Sequence, residues 1–120
     1  MPNSENILLS MSFSFALVII KSYKQISNEH KEYVLSKQLL RSGTAVGALI
    51  REAQNAESRK DFIHKLAIAQ KECDETIYWL NLLHQSSYLS DASFQSLEPQ
   101  AISLLKILKR SIITTKSRLK

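Results

Sequence analysis

The sequence predicts an all-α fold, an antiparallel up-down-up-down four-helix bundle, on three observations. The 120 residues include only two glycines and two prolines, far below ordinary usage, so turns are few and elements long. Apolar residues recur in steps of three and four along four separate segments, the spacing of one buried helix face. The composition is 44% hydrophobic, enough to build one core without metals or disulfides. The reading is a single domain over residues 1–120, with helices near 4–27, 30–56, 59–86 and 91–118.

The first helix carries the run ILLSMSFSFALVII. Leu8, Met11, Phe15, Val18 and Ser22 form one seam, and Phe13, Leu17, Ile20 and Tyr23 form a second beside it. A helix apolar around so much of its circumference buries more than one side. The second seam is therefore assigned to an oligomer interface. The run of about 14 residues, broken by serines, falls short of the roughly 18 that span a bilayer. Glu5 before it and KSYKQ after it do not suit a secretion signal. The expectation is a buried helix and no membrane.

Leu35, Leu39, Ser42, Val46, Leu49, Ala53 and Ala56 define the second helix, which Ser27 and Asn28 are expected to introduce as a turn and N-cap. Phe62, Leu66, Ala69, Cys73, Ile77 and Leu80 define the third, opened by a capping box of Ser58 and Asp61. QSSYLSD separates it from the fourth. There the stripe is Ala101, Leu104, Leu108, Thr115 and Leu119, flanked by Leu105 and Ile112. Pro99 lies inside that helix, where it removes a hydrogen bond and clashes with the preceding turn, so a kink or break is expected there. Connections this short force neighbouring helices to run antiparallel. Helices of about 25 residues would be about 38 Å long.

Gly43 and Gly47 lie in RSGTAVGALIREA. A phosphate loop needs a preceding strand, a spacing such as GxxxxGKT or GxGxxG and a helix that starts after it, and none of these is present. Four residues apart on one apolar helix face, the glycines instead predict close packing of another helix. Each costs about 1 kcal/mol of helix propensity relative to alanine, which tight packing offsets.

Catalytic chemistry finds little support. Asp61 and His64 form an acid-x-x-His pair, but a dimetal bundle needs a second pair and two further acids. Asp61 reads better as the acid of a helix start and His64 as a surface residue. Cys73 is the single cysteine. It excludes an internal disulfide, favours a reducing, cytoplasmic compartment and reads as a small core residue. Ser103 and Lys106 match an S-x-x-K pattern that is common by chance. Tyr78 and Trp79 read as core or interface aromatics. No enzyme activity, cofactor or metal is predicted.

The formal charge of +5 permits an anionic partner. On a helical wheel Lys106, Lys109, Arg110, Lys116 and Lys120 fall within an arc of about 120°, opposite the apolar stripe. No acidic residue follows Lys106. This stripe is the candidate nucleic-acid-binding surface, and Lys21, Lys24, Arg41 and Arg51 are candidates to extend it. The competing reading is that lysines near a helix C-terminus complement its dipole and remain solvated.

QLLRSGTAVGALIREAQNAESRKDFIHKLAIAQKECDETIYWLNLL, residues 38–83, resembles the four-helix-bundle family of proteins encoded in intervening sequences of bacterial 23S rRNA genes. Members of that family show RSGTSIGANIxEA followed by DF(I/V)xKLxIAxKExxETx(Y/W)WL. FSFALVIIKSYKQI and LKILKRSI resemble its first and last helices, so the likeness covers nearly the whole chain. The central motif departs twice, with Ala45 in place of serine and Leu49 in place of asparagine, which makes it more apolar. The accessory variability determinant proteins of diversity-generating retroelements are similar and bind nucleic acid beside a reverse transcriptase. The resemblance implies a ring-shaped homo-oligomer, typically a pentamer, with no catalytic activity. It also points to an RNA or DNA partner; the alternative reading is a scaffold whose ring presents a surface to another protein.

Overall fold

A computed structural model describes residues 4–119. It contains four helices and, among these residues, no strand: α1 Ser4–His30, α2 Leu35–Ala53, α3 Arg59–Gln85 and α4 Asp91–Ser117. The molecule measures 50 × 22 × 22 Å, longer than one predicted helix because the connecting turns cap both ends. Each helix packs on two others, α1 on α2 and α4, and α3 on α2 and α4. Across α2 and α3, Arg41 meets Glu72 and Glu75 while Glu52 meets Lys65. Across α3 and α4, Asn81 bonds Glu98 while His84 bonds Asp91. In both pairs the residue numbers rise in one helix as they fall in the other.

The core follows the three-four spacing, with a shift in phase. Buried positions on α1 are Leu8, Ser12, Phe15, Ile19, Ser22, Ile26 and Ser27. Met11 and Val18, placed on the central seam by apolar spacing alone, flank this line half-buried. On α3 the line is Leu66, Ala69, Cys73, Thr76, Leu80 and Leu83, with Phe62 and Ile77 at its edge. On α4 it is Leu97, Ala101, Leu104, Leu108, Ser111 and Ile112, while Leu119 is exposed. Several core places are thus taken by small hydroxylated residues. Ser27, Ser36 and Thr76 can occupy them because each hydroxyl bonds a carbonyl one turn back, Tyr23 O, Glu32 O and Glu72 O respectively. A serine so satisfied packs as a small core side chain.

The first turn differs from expectation. Ser27 is buried inside α1 rather than at its end, and the helix runs on to His30. Lys31, at φ 54°, stops it. Val34 occupies the N-cap of α2 without a side-chain hydrogen bond. The capping is done by Glu32, whose carboxylate accepts from the backbone N–H groups of Val34, Leu35 and Ser36 at 3.0, 3.0 and 2.7 Å. Burial alone would push this carboxyl upward, but the three amides outweigh it and hold its pKa below the ordinary value.

The second helix also ends early, at Ala53 rather than near 56, because the N–H groups of Gln54, Asn55 and Ala56 turn to carbonyls three residues back. Ser58 opens α3, its hydroxyl accepting from Asp61 N at 3.0 Å, and Asp61 returns a carboxylate to Glu57 N at 3.2 Å. Ser90 caps α4 in the same manner through Ser93 N. Pro99 does not interrupt α4, which is continuous from Asp91 to Ser117. The proline is exposed, and the carbonyl it orphans belongs to exposed Gln95, so water can satisfy it.

Length and composition qualify α1 to cross a membrane, which revises the estimate of a run too short to span. Four large side chains of that helix, Leu8, Phe15, Ile19 and Ile26, nevertheless lie in the bundle core.

Candidate nucleic-acid interface

The second half of α4 presents two faces set by its sequence. Leu104, Leu108, Ser111 and Ile112 point inward. Lys106, Lys109, Arg110 and Lys116 are exposed, and none of the four forms an ion pair with a described residue. Lys120 lies outside the described residues. Ile113, 67% exposed, sits among these cations, an apolar residue that the search for charge overlooked.

The residues proposed to extend the stripe do not gather beside it. Arg41 is held by Glu72 and Glu75, and the hydrogen bond to Glu72 is the main cause that raises its pKa above the ordinary value. Glu75 also accepts from Trp79 Nε1 at 3.1 Å, and Trp79 meets Tyr78 edge to face. Together these residues fasten α2 to α3. Lys21 and Lys24 are exposed on α1. Around Ser10, Met11 and Phe15 that helix lies against Pro99, Gln100 and Leu104, and around Ile26 and His30 it lies against residues 87–93. The two lysines therefore sit toward the start of α4, away from Lys109 and Lys116. Arg51 lines a groove between α1 and α2.

Two arginines that the sequence reading passed over do approach the end of α4. Arg59, the first residue of α3, donates from Nη1 to the backbone oxygen of Arg118 at 3.1 Å. Only the fold brings these residues together, since 59 positions separate them.

The second apolar seam of α1 divides in two. Phe13 and Leu17 are 68% and 55% exposed, while Ile20 and Tyr23 are half-buried. Phe13 overhangs the α1–α2 groove, about 710 Å³ in volume, on whose wall lie Gly47, Ala48 and Thr44. The two glycines also differ. A Cβ on Gly43 would lie 2.8 Å from Ile19 Cγ2, whereas one on Gly47 would meet Ser12 O at 3.4 Å, an ordinary contact.

The candidate catalytic groups have structural surroundings. Asp61 is part of the cap of α3, and His64 is exposed. Cys73 is fully buried, its Sγ directed at Ala101 O at 3.4 Å, and burial with the nearby Asp74 charge pushes its thiol up to about 12. Among the described residues no three His, Cys, Asp or Glu side chains are grouped to hold a metal.

Residues 4–110 match the family described as 23S rRNA-intervening sequence protein. The chain belongs to that family. It is similar over 92% of its length to the crystal structure, at 1.70 Å resolution, of a protein of unknown function from the S23 ribosomal protein family of Bacteroides thetaiotaomicron VPI-5482. The identity is 45%, the TM-score 0.89, and 98% of that chain is covered. No curated protein matches at a significant level. The family match takes in all of α1, α2 and α3 and stops within α4 at Arg110. Lys116 and Arg118 lie beyond it. Ala45 and Leu49, the departures from the family's motif, are half-buried on α2, with Leu49 packed against the core.

Proposed function

We propose that this chain is a non-catalytic, cytoplasmic protomer of a homo-oligomeric ring, a pentamer by family resemblance, with an up-down-up-down bundle that binds structured RNA through α4. The observation that carries the RNA reading is the exposed set Lys106, Lys109, Arg110 and Lys116, in no ion pair with a described residue and followed by no acid. Unpaired cations on one helix face can each neutralise a phosphate and release its counterion, and an oligomer multiplies the set. Exposed Phe13 and Leu17 support assembly, because a monomer gains nothing by leaving them in water. The non-catalytic reading draws on Asp61 and Cys73, which hold structural places.

A second reading, a scaffold for another protein, draws on Ile113, whose apolar side chain within the stripe suits a protein surface better than a phosphate backbone. Binding of the protein to structured RNA and to duplex DNA across a salt series separates the two. RNA binding that persists at about 150 mM salt, with a slope of several charges at about 0.7 to 0.9 per phosphate contacted, and that weakens in Lys109→Glu and Lys116→Glu, supports the first. Binding lost at that salt favours the scaffold.

A further inference from the structure

The turn from α2 to α3 and the last residues of α4 enclose a cleft of about 320 Å³, at the small end of the range typical of ligand pockets. Its donors have capacity to spare. Arg59 spends one N–H on the Arg118 carbonyl and keeps the rest of its fork, and the guanidinium of Arg118 has no acidic partner among the described residues. Ser58 Oγ accepts from Asp61 N, which leaves its own O–H to donate. Two acids adjoin the cleft along the chain: Asp61 is directed to Glu57 N, and Glu57 is exposed and forms no ion pair with Arg59 or Arg118. Two arginine forks and a hydroxyl around one small space suit a phosphate monoester, whose oxygens accept in pairs.

The remaining lining exceeds what inorganic phosphate needs. Phe62 forms an apolar, half-buried wall on which a base can stack. Gln54 donates its amide to Ile50 O, and Thr115 donates its hydroxyl to Ser111 O, so both keep acceptor oxygens suited to sugar hydroxyls or base amino groups. We propose that this cleft takes a phosphorylated nucleotide, free or at the end of an RNA strand, with Arg59 and Arg118 on the phosphate and Phe62 against the base. The strand-end form of the inference rests on the nucleic-acid reading of α4, to which it adds a pocket at the end of that helix. Thr115 and Arg118 lie beyond the family match, and the other lining residues lie within it.

The test is calorimetric titration of the full chain with AMP, with adenosine, and with one RNA hairpin whose single-stranded 5′ end carries either a phosphate or a hydroxyl. The phosphorylated hairpin is expected to bind about tenfold tighter than the hydroxyl form. Arg118→Gln should erase that difference, whereas Lys109→Gln should weaken both forms alike. Arg118 is exposed and follows the last helical residue, and its backbone oxygen still holds Arg59 in the variant, so the fold is preserved. AMP binding above adenosine, with the two hairpins alike, assigns the cleft to free nucleotides; the reverse pattern assigns it to strand ends. Equal hairpins together with equal AMP and adenosine overturn the pocket and leave the stripe reading standing if RNA still binds. AMP binding without any RNA binding keeps the pocket and removes the stripe.

Discussion

A Cβ placed on Gly43 would fall 2.8 Å from Cγ2 and 2.9 Å from Cγ1 of Ile19. Ile19 is fully buried, so its branches have nowhere to move. Four residues along the same helix, Gly47 leaves room for a methyl group.

The two glycines should therefore respond to alanine with opposite signs. In Gly43→Ala, overpacking of about 1–3 kcal/mol outweighs a helix-propensity gain of about 1 kcal/mol, so stability falls. Gly47→Ala keeps the gain, about 0.5–1 kcal/mol, without the clash. Urea unfolding midpoints read the difference. Shifts of both variants in one direction would show that the contact with Ile19 does not set the separation of α1 and α2.

The four helices were legible because leucines and isoleucines recur at helical spacing. The phase of that pattern was less legible, because hydropathy reads Ser12 and Thr76 as polar while the fold buries them beside glycine and serine neighbours. The α1–α2 turn was misplaced for a related reason. Ser27 and Asn28 have the composition of a cap, yet Ser27 bonds back within its own helix, and Glu32, an unusual capping residue, does the work. At the candidate interface the lysines of α4 were visible as one stripe of a wheel. Arg59 beside Arg118 was not, since nothing local relates residues so far apart.

Glu32 gives a pH-dependent prediction. Its carboxyl has a lowered pKa in the folded chain and the ordinary 4.5 when unfolded, so the unfolded state takes up protons first as pH falls. Its stabilisation is complete above about pH 4.5 and is lost as pH drops through the lowered folded value. Glu32→Gln should lower stability at neutral pH by about 0.5–1 kcal/mol. The gap between the two melting temperatures should narrow below pH 4.5, and a gap independent of pH would mean that the charge of Glu32 does not contribute.

Ser87 offers a stabilising change. It follows α3 at φ 70°, where Ser87 N bonds His84 O and Tyr88 N bonds Leu83 O, the pairing that glycine serves best at a helix end. Ser87→Gly removes the crowding of Cβ at positive φ and should add about 0.5–1 kcal/mol. Ser87→Val, branched at that carbon, should subtract from stability. Thermal melts of the two variants should bracket the parent, and a Val variant as stable as the Gly variant would remove backbone strain as the cause.

Phe13 and Leu17 test assembly without touching the core. They lie four apart on the outer face of α1, are 68% and 55% exposed, and belong neither to the buried cluster nor to the side chains packed on it. The double variant Phe13→Ser, Leu17→Ser should keep its helical circular dichroism while its mass by light scattering falls toward the 13.7 kDa of one chain. Its melting temperature should drop below the parent's and lose the parent's dependence on concentration, because association with like chains stabilises only the folded state. An unchanged mass would place the subunit contact on another face. A parent that itself runs at the mass of one chain would remove the ring from the proposal and leave the two side chains as a surface for a different partner.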